Sequence, residues 1–204
     1  DPDWSRGLGD VYKRQTLSGR AIAKHMDAYV NECITGEYDH LGKAIIYGDT
    51  DSAYFSAYPM VKEQIEKGEL EWNKDFAIKL YDSIAEKVNE SFPDFMKDAF
   101  NCPRKNGEII VGGREMVASK GLFITKKRYA LLYYDIEGFR TDTGESPGKI
   151  KAMGLDLKRS DTPKIVQDFL SDVLTGVLTG NGRDETLEKV KQFKEEFMLR
   201  PAWE

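Results

Sequence analysis

The sequence predicts an α+β fold, an antiparallel sheet with helices packed on it, and three observations carry that prediction. The apolar, β-branched run Ala44-Ile45-Ile46 meets a Gly-Asp turn signal and is followed by the alternating segment Ala53-Tyr54-Phe55-Ser56-Ala57, which reads as a β-hairpin. Apolar residues recur at three- and four-residue steps from Thr16 to Thr35 and again from Asn73 to Phe92, the period of amphipathic helices. Strand-like runs fill residues 108 to 135, and two helical stretches close the chain.

In chain order, residues 1 to 15 carry no helical or strand period, and Ser5 to Gln15 resembles a translated sequencing-adapter tail of the kind found on metagenomic reading frames. They are set aside as a non-native, poorly anchored or disordered tail. In the helix from Thr16 to Thr35, Ile22, Met26, Tyr29, Val30 and Cys33 share the apolar side, and Gly36 is its stop. After the hairpin, Pro59 starts a short helix that Gly68 closes. A longer helix begins near Asn73 or Lys74, lines up Phe76, Leu80, Ile84 and Val88, and ends at Pro93, with Asp94 to Phe100 adding a turn.

Glu108-Ile109-Ile110-Val111 and Arg114 to Ala118 read as strand, and Leu122 to Thr125 with Tyr129 to Asp135 as a second, mostly apolar pair. Thr141 to Gly148 is a loop, and residues 149 to 157 are extended. The closing helices span about 162 to 178 and 184 to 198, with Asp161-Thr162-Pro163 as an entry signal that puts proline at the first helical position.

With 204 residues, 40% hydrophobic and 11% aromatic, the chain can build a core, and 32% charged residues keep its surface solvated. No stretch approaches the roughly 18 apolar residues of a membrane span. Cys33 and Cys102 lie far apart and, with His25 and His40, give no zinc spacing, so free thiols in a reducing, cytoplasmic setting are expected. A net charge of −5 argues against a general electrostatic sponge for nucleic acid, while leaving room for a local basic strip.

Two groups of residues suggest chemistry. If the backbone stays extended through Asp51, Asp49 and Asp51 project to one face. Like charges that close repel unless a cation joins them, and Mg²⁺ or Mn²⁺ suits carboxylate oxygens. A bare D-x-D is ordinarily just an acidic turn. An EF-hand loop is excluded, since it needs an oxygen ligand at Ala53 and glycine at Tyr54. The basic run Lys126-Lys127-Arg128-Tyr129, flanked by Ile124 and by Ala130-Leu131-Leu132, sits on or between strands of a buried sheet and turns towards something anionic.

The string Tyr47-Gly48-Asp49-Thr50-Asp51-Ser52 is far more specific than D-x-D and resembles the motif C hairpin of family B DNA polymerases. Arg114-Glu115 and Lys126-Lys127-Arg128-Tyr129 resemble later palm elements of that family. Lys149-Ile150-Lys151-Ala152-Met153-Gly154-Leu155, with Ser160 to Lys164, is most similar to the replicative polymerases of T-even-type bacteriophages. The likeness runs in consistent order over about residues 16 to 200.

It implies a palm sheet with packed helices in residues 16–147 and the start of a helical thumb in 148–204. It also implies template-directed nucleotidyl transfer with two Mg²⁺ (or Mn²⁺) ions, primer-template DNA, deoxynucleoside triphosphates and a sliding clamp as partners, and the host cytoplasm if the source is viral. By the same resemblance Asp51 bridges the metals, Asp49 lies beside it and Glu115 is the third acid. The alternative for Glu115 is a surface carboxylate paired with Arg114. Lys127 meets the minor-groove side of the primer end, Tyr129 supports the primer strand, and Lys126 and Arg128 complete the basic cluster. Lys120, Lys149, Lys151, Lys158 and Arg159 are expected on DNA phosphate.

A working palm of this family also carries a D-x-x-S-L-Y-P type motif A and a K-x-x-x-N-S-x-Y-G motif B, and neither string occurs here; nor does a D-x-E exonuclease motif. The chain therefore reads as a fragment starting after motif B and stopping inside the thumb, inactive alone. The rival readings are a non-catalytic DNA-binding module, a different two-metal phosphotransferase or nuclease using Asp49, Asp51 and Glu115, and an interaction domain whose acidic turn is incidental.

Overall fold

The structure, a computed structural model, describes residues 3–144 and 146–200; the side chains of residues 3–9 and of Lys158 lie outside the described residues, so the DNA-contact expectation for Lys158 does too. The chain forms two compact units, Asp1–Arg114 and Glu115–Glu204. Together they mix helices with antiparallel sheets, as the α+β reading requires.

The first unit runs α1 (Asp3–Thr35), β1 (Ile45–Gly48), β2 (Ala53–Phe55), α2 (Tyr58–Glu66), α3 (Lys74–Phe100) and α4 (Arg104–Gly107). Val30, Ala57, Ile84, Val88 and Phe92 form its buried core, packed by Ile22, Met26, Tyr29, Ile45, Phe55, Leu80 and Tyr81. Thus the helical stripes seen in the sequence meet in one core that the hairpin strands share. Asn73 caps α3 by accepting the Phe76 N–H at 2.8 Å.

Three expectations here are corrected. Helix α1 starts at Asp3, not Thr16; residues 10 to 17 are helical yet exposed, with Tyr12 66% and Leu17 51% accessible, so the helix extends past its packed part. Pro93 does not end α3. Losing one backbone bond there is tolerated because Phe92 and Pro93 are both buried, and the helix stops instead at Asn101, whose left-handed backbone returns its N–H to the Met96 carbonyl. Residues 108–111 are not a strand: Ile109 and Val111 are 79% and 72% exposed. The next residue is pinned to α3, because the Asn89 side chain accepts the Gly112 N–H at 2.7 Å and donates to its carbonyl at 3.0 Å.

In the second unit β3 (Met116–Thr125) pairs with β4 (Arg128–Ile136), and β5 (Phe139–Arg140) and β6 (Lys149–Met153) share the other edge of β4. The two expected strand pairs are therefore one long hairpin, since residues 116 to 125 form a single strand whose irregular register absorbs its bend. A 3-10 turn (Asp156–Lys158) leads to α5 (Lys164–Thr179) and α6 (Arg183–Met198). Pro163 occupies the N-cap of α5, one residue before the expected place. Ala130, Leu132, Ile150 and Ala152 on one sheet face pack against Leu174 and Leu178 of α5. The expected palm-to-thumb boundary at 147/148 falls inside this unit.

No helix among the described residues is long and apolar enough to cross a membrane. Both cysteines are free and half-buried, and burial pushes the Cys33 thiol up.

Candidate functional site

Strands β1 and β2 pair antiparallel, with Gly48 opposite Ala53 and Tyr47 opposite Tyr54. Thr50 and Asp51 form the tip, closed by the Asp49 N–H donating to the Ser52 carbonyl at 2.9 Å. The strand ends at Gly48, so the extended backbone expected through Asp51 is replaced by a bend, and strand alternation does not set the directions of the two acids. The Asp49 carboxylate is held locally, accepting from Thr50 N–H at 2.9 Å, Thr50 Oγ1 at 3.3 Å and Tyr47 OH at 3.4 Å. Asp51 is exposed at the tip. Both supply hard oxygen donors of the kind Mg²⁺ or Mn²⁺ takes, though among the described residues no three His, Cys, Asp or Glu side chains converge as a metal site. The hairpin therefore fits part of a ligand set.

Two side chains of α1 that motif reading missed meet this hairpin, one bonding its entry and one lying against Gly48. Asn31 is 1% exposed; its Oδ1 accepts the Ala44 N–H at 3.1 Å, at the entry to β1, and its Nδ2 donates to the Glu37 carbonyl at 2.8 Å and to Thr35 at 3.1 Å. Asp27 places Oδ2 3.6 Å from where a Cβ on Gly48 would stand, and its Oδ1 is buried without a hydrogen-bond partner. Nothing in a single sequence marks either residue, since each occupies an unremarkable position in a helical pattern.

Burial pushes the Asp27 carboxyl from 3.8 up to about 6, against the pull of His40. A raised acid favours the protonated folded state, so its contribution is complete below pH 3.8 and is lost as pH climbs towards about 6. Burial lowers the pKa of His25, so that group destabilises the fold as pH drops below 6.5. The two trends oppose each other. Asp27→Asn is expected to remove the first and leave a steeper acid loss, read as urea midpoints from pH 4 to 7. Superimposable profiles for the two proteins would refute this account.

Glu115 belongs to the second unit, where its carboxylate accepts from Lys151 Nζ at 2.6 Å. Arg114, its expected alternative partner, donates to Asp82. Lys126 and Lys127 form the two-residue turn between β3 and β4, so the basic run stands at a hairpin end rather than within the sheet; Lys126, Lys127 and Arg128 are exposed. Tyr129 is 3% exposed, its ring 5.7 Å from that of Phe123, a position for supporting the turn rather than touching a ligand.

The antiparallel register sets Lys149 and Lys151 opposite Tyr133 and Leu131, on the same face as Tyr129. Lys120 is opposite Leu132 and therefore on the α5 face; its Nζ lies 3.7 Å from the Cβ position of Gly180, which caps the C-terminus of α5. A lysine suits that negative helix end, so the structure accounts for Lys120 without DNA. Arg159 is exposed and forks onto Asp161 at 2.9 and 2.6 Å, holding that carboxyl below its ordinary range.

No protein-family model matches the chain. It is 30% identical over 174 residues to a DNA-directed DNA polymerase of Escherichia phage RB69, a match taking in 80% of this chain and 18% of that protein. It is 28% identical over 188 residues to the DNA-directed DNA polymerase of Enterobacteria phage T4, covering 86% of this chain and 20% of the phage protein. DNA polymerase 1 of Pyrococcus abyssi (strain GE5 / Orsay) is 24% identical over 164 residues, 80% of this chain and 16% of the archaeal one. The chain thus spans a fifth or less of the length of these relatives. Over most of its length the chain is thus a homologue of phage DNA-directed DNA polymerases and of archaeal and viral family B polymerases.

Proposed function

We propose that residues 16–147 form the C-terminal part of a polymerase palm and residues 148–204 the beginning of its thumb, in a parent DNA-directed DNA polymerase acting on primer-template DNA and deoxynucleoside triphosphates. The observation that carries the reading is that Tyr47 to Ser52 folds as a closed hairpin with Asp51 at its tip and Asp49 at its base. Mg²⁺ or Mn²⁺ bound by such carboxylates supplies charge stabilisation for in-line phosphoryl transfer. Asp51 offers the exposed oxygens and Asp49 is held by Thr50 and Tyr47; the part of Glu115 as a third acid rests on the family resemblance alone, since Lys151 takes its carboxylate here. Lys126, Lys127 and Arg128 hold DNA at the β3–β4 turn with Tyr129 beneath them, while Lys149 and Lys151 neutralise phosphate and fix the duplex without reading its sequence.

The test is Mn²⁺-induced NMR line broadening on the chain and on Asp51→Ala. Broadening around residues 47–53 that Asp51→Ala abolishes is the expected result; equal broadening in both would overturn the metal role of the hairpin. With no motif A or motif B string in the sequence, the chain alone is expected to show no templated incorporation in a primer-extension assay. Metal-dependent DNA hydrolysis by the chain would favour the nuclease reading instead.

A further inference from the structure

The β3–β4 turn has an unusual backbone. Lys127 sits at φ 61°, in the left-handed region that glycine or asparagine enters far more easily than lysine. A residue kept there against its local preference must be held by its surroundings. The holding group lies just past the end of β6. Gly154, itself at φ 65°, passes so close to the turn that a Cβ on it would stand 2.1 Å from the Lys127 carbonyl oxygen and 3.1 Å from Arg128 Cγ. The carbonyl is backbone, so it could yield only if the turn moved.

We infer that Gly154 is a positioning residue for Lys127: its bare backbone lets the chain leaving β6 lie against the basic turn and fixes where the Lys127 ammonium stands for a DNA duplex. The inference rests on the reading of Lys127 as a DNA contact. It adds a coupling, because the same segment continues through the 3-10 turn into α5, so the proposed thumb and the basic turn share one anchor point. Gly148, at the other end of β6, makes a comparable approach, with a Cβ position 2.3 Å from the Tyr133 carbonyl at φ 136°. It supplies a control of equal strain far from the turn.

The experiment measures affinity of the 204-residue chain for a fluorescent primer-template duplex at fixed low salt, with thermal melts alongside. Lys127→Ala and Gly154→Ala are each expected to weaken binding about tenfold, and the double variant to bind no more weakly than Lys127→Ala alone, the signature of one residue acting through the other. Gly148→Ala in the Lys127→Ala background is expected to keep whatever penalty it shows alone. Gly154→Asn tolerates the left-handed backbone but still carries a Cβ; it retains the fold and is expected to lose affinity as Gly154→Ala does. A Gly154 penalty that persists in full without the Lys127 side chain, or wild-type affinity in Gly154→Asn, overturns the inference alone. No duplex binding by the wild-type chain, or wild-type binding by Lys127→Ala, overturns the DNA-contact reading and the inference with it.

Discussion

Asn31→Ala is expected to lower the unfolding free energy by about 3 kcal/mol, because it leaves a buried backbone N–H without a partner and unties the loop around it. The Asn31 side chain is the hub of the loop that carries the chain from α1 into β1, bonded to Thr35, Glu37 and Ala44. Gly42 lies against it so closely that a Cβ there would fall 2.0 Å from Asn31 Cγ. Truncation orphans the Ala44 N–H in a residue only 4% exposed, and water cannot easily replace the lost carbonyl. The Glu37 carbonyl lies in an exposed stretch and recovers part of its loss from solvent. Urea unfolding checks the value, with a lowered midpoint and an unchanged slope expected. Because Ala44 is the last residue before β1, Mn²⁺ broadening at the hairpin should also weaken in the surviving folded population. A loss below about 0.5 kcal/mol would mean that the loop is held by something other than this side chain.

What could be read from the sequence follows from how local each signal is. The Tyr47–Ser52 hairpin, the Asn73 cap and the apolar stripe Leu80, Ile84, Val88 are encoded by near neighbours, and they fold as read. Pro93 misleads because its usual effect is local, while the burial that overrides it comes from outside the helix: Val30 and Ala57 pack with Phe92, and Gly107 lies against Pro93 itself. Residues 108–111 look like a strand by composition, yet they have no partner strand, and Asn89 pins the following glycine to a helix. The candidate acids Asp49 and Asp51 were legible from their motif, but their geometry was not, since a turn bond rather than strand alternation sets it. Lys120 shows the limit for a single lysine placed by resemblance: only the pairing register reveals that it stands on the sheet face that carries α5.

Phe92→Ala is expected to cost about 4 kcal/mol, the loss typical of emptying a large aromatic from a closed core. Phe92 is 1% exposed and is the largest fully buried side chain of the first unit's cluster, a core to which α1, α2 and α3 all contribute. Its ring centroid also lies 5.7 Å from that of His25, which stacks on Phe95 at 4.0 Å and bonds Tyr38 and Ser91 at 2.7 and 2.9 Å. The burial that lowers the His25 pKa is therefore partly built from Phe92. Two readouts must move together. The urea midpoint falls, and the His25 imidazole titrates closer to 6.5 by NMR, since water reaches a ring that had been enclosed. Phe92→Leu fills much of the space and should cost less than half as much while leaving the His25 titration nearly in place. A large stability loss with an unmoved His25 would show that the ring encloses the core but not the histidine. A loss under about 1 kcal/mol would mean that the surrounding helices close over the cavity, which the hydrogen bonds fixing α3 at Asn73 and Asn89 resist.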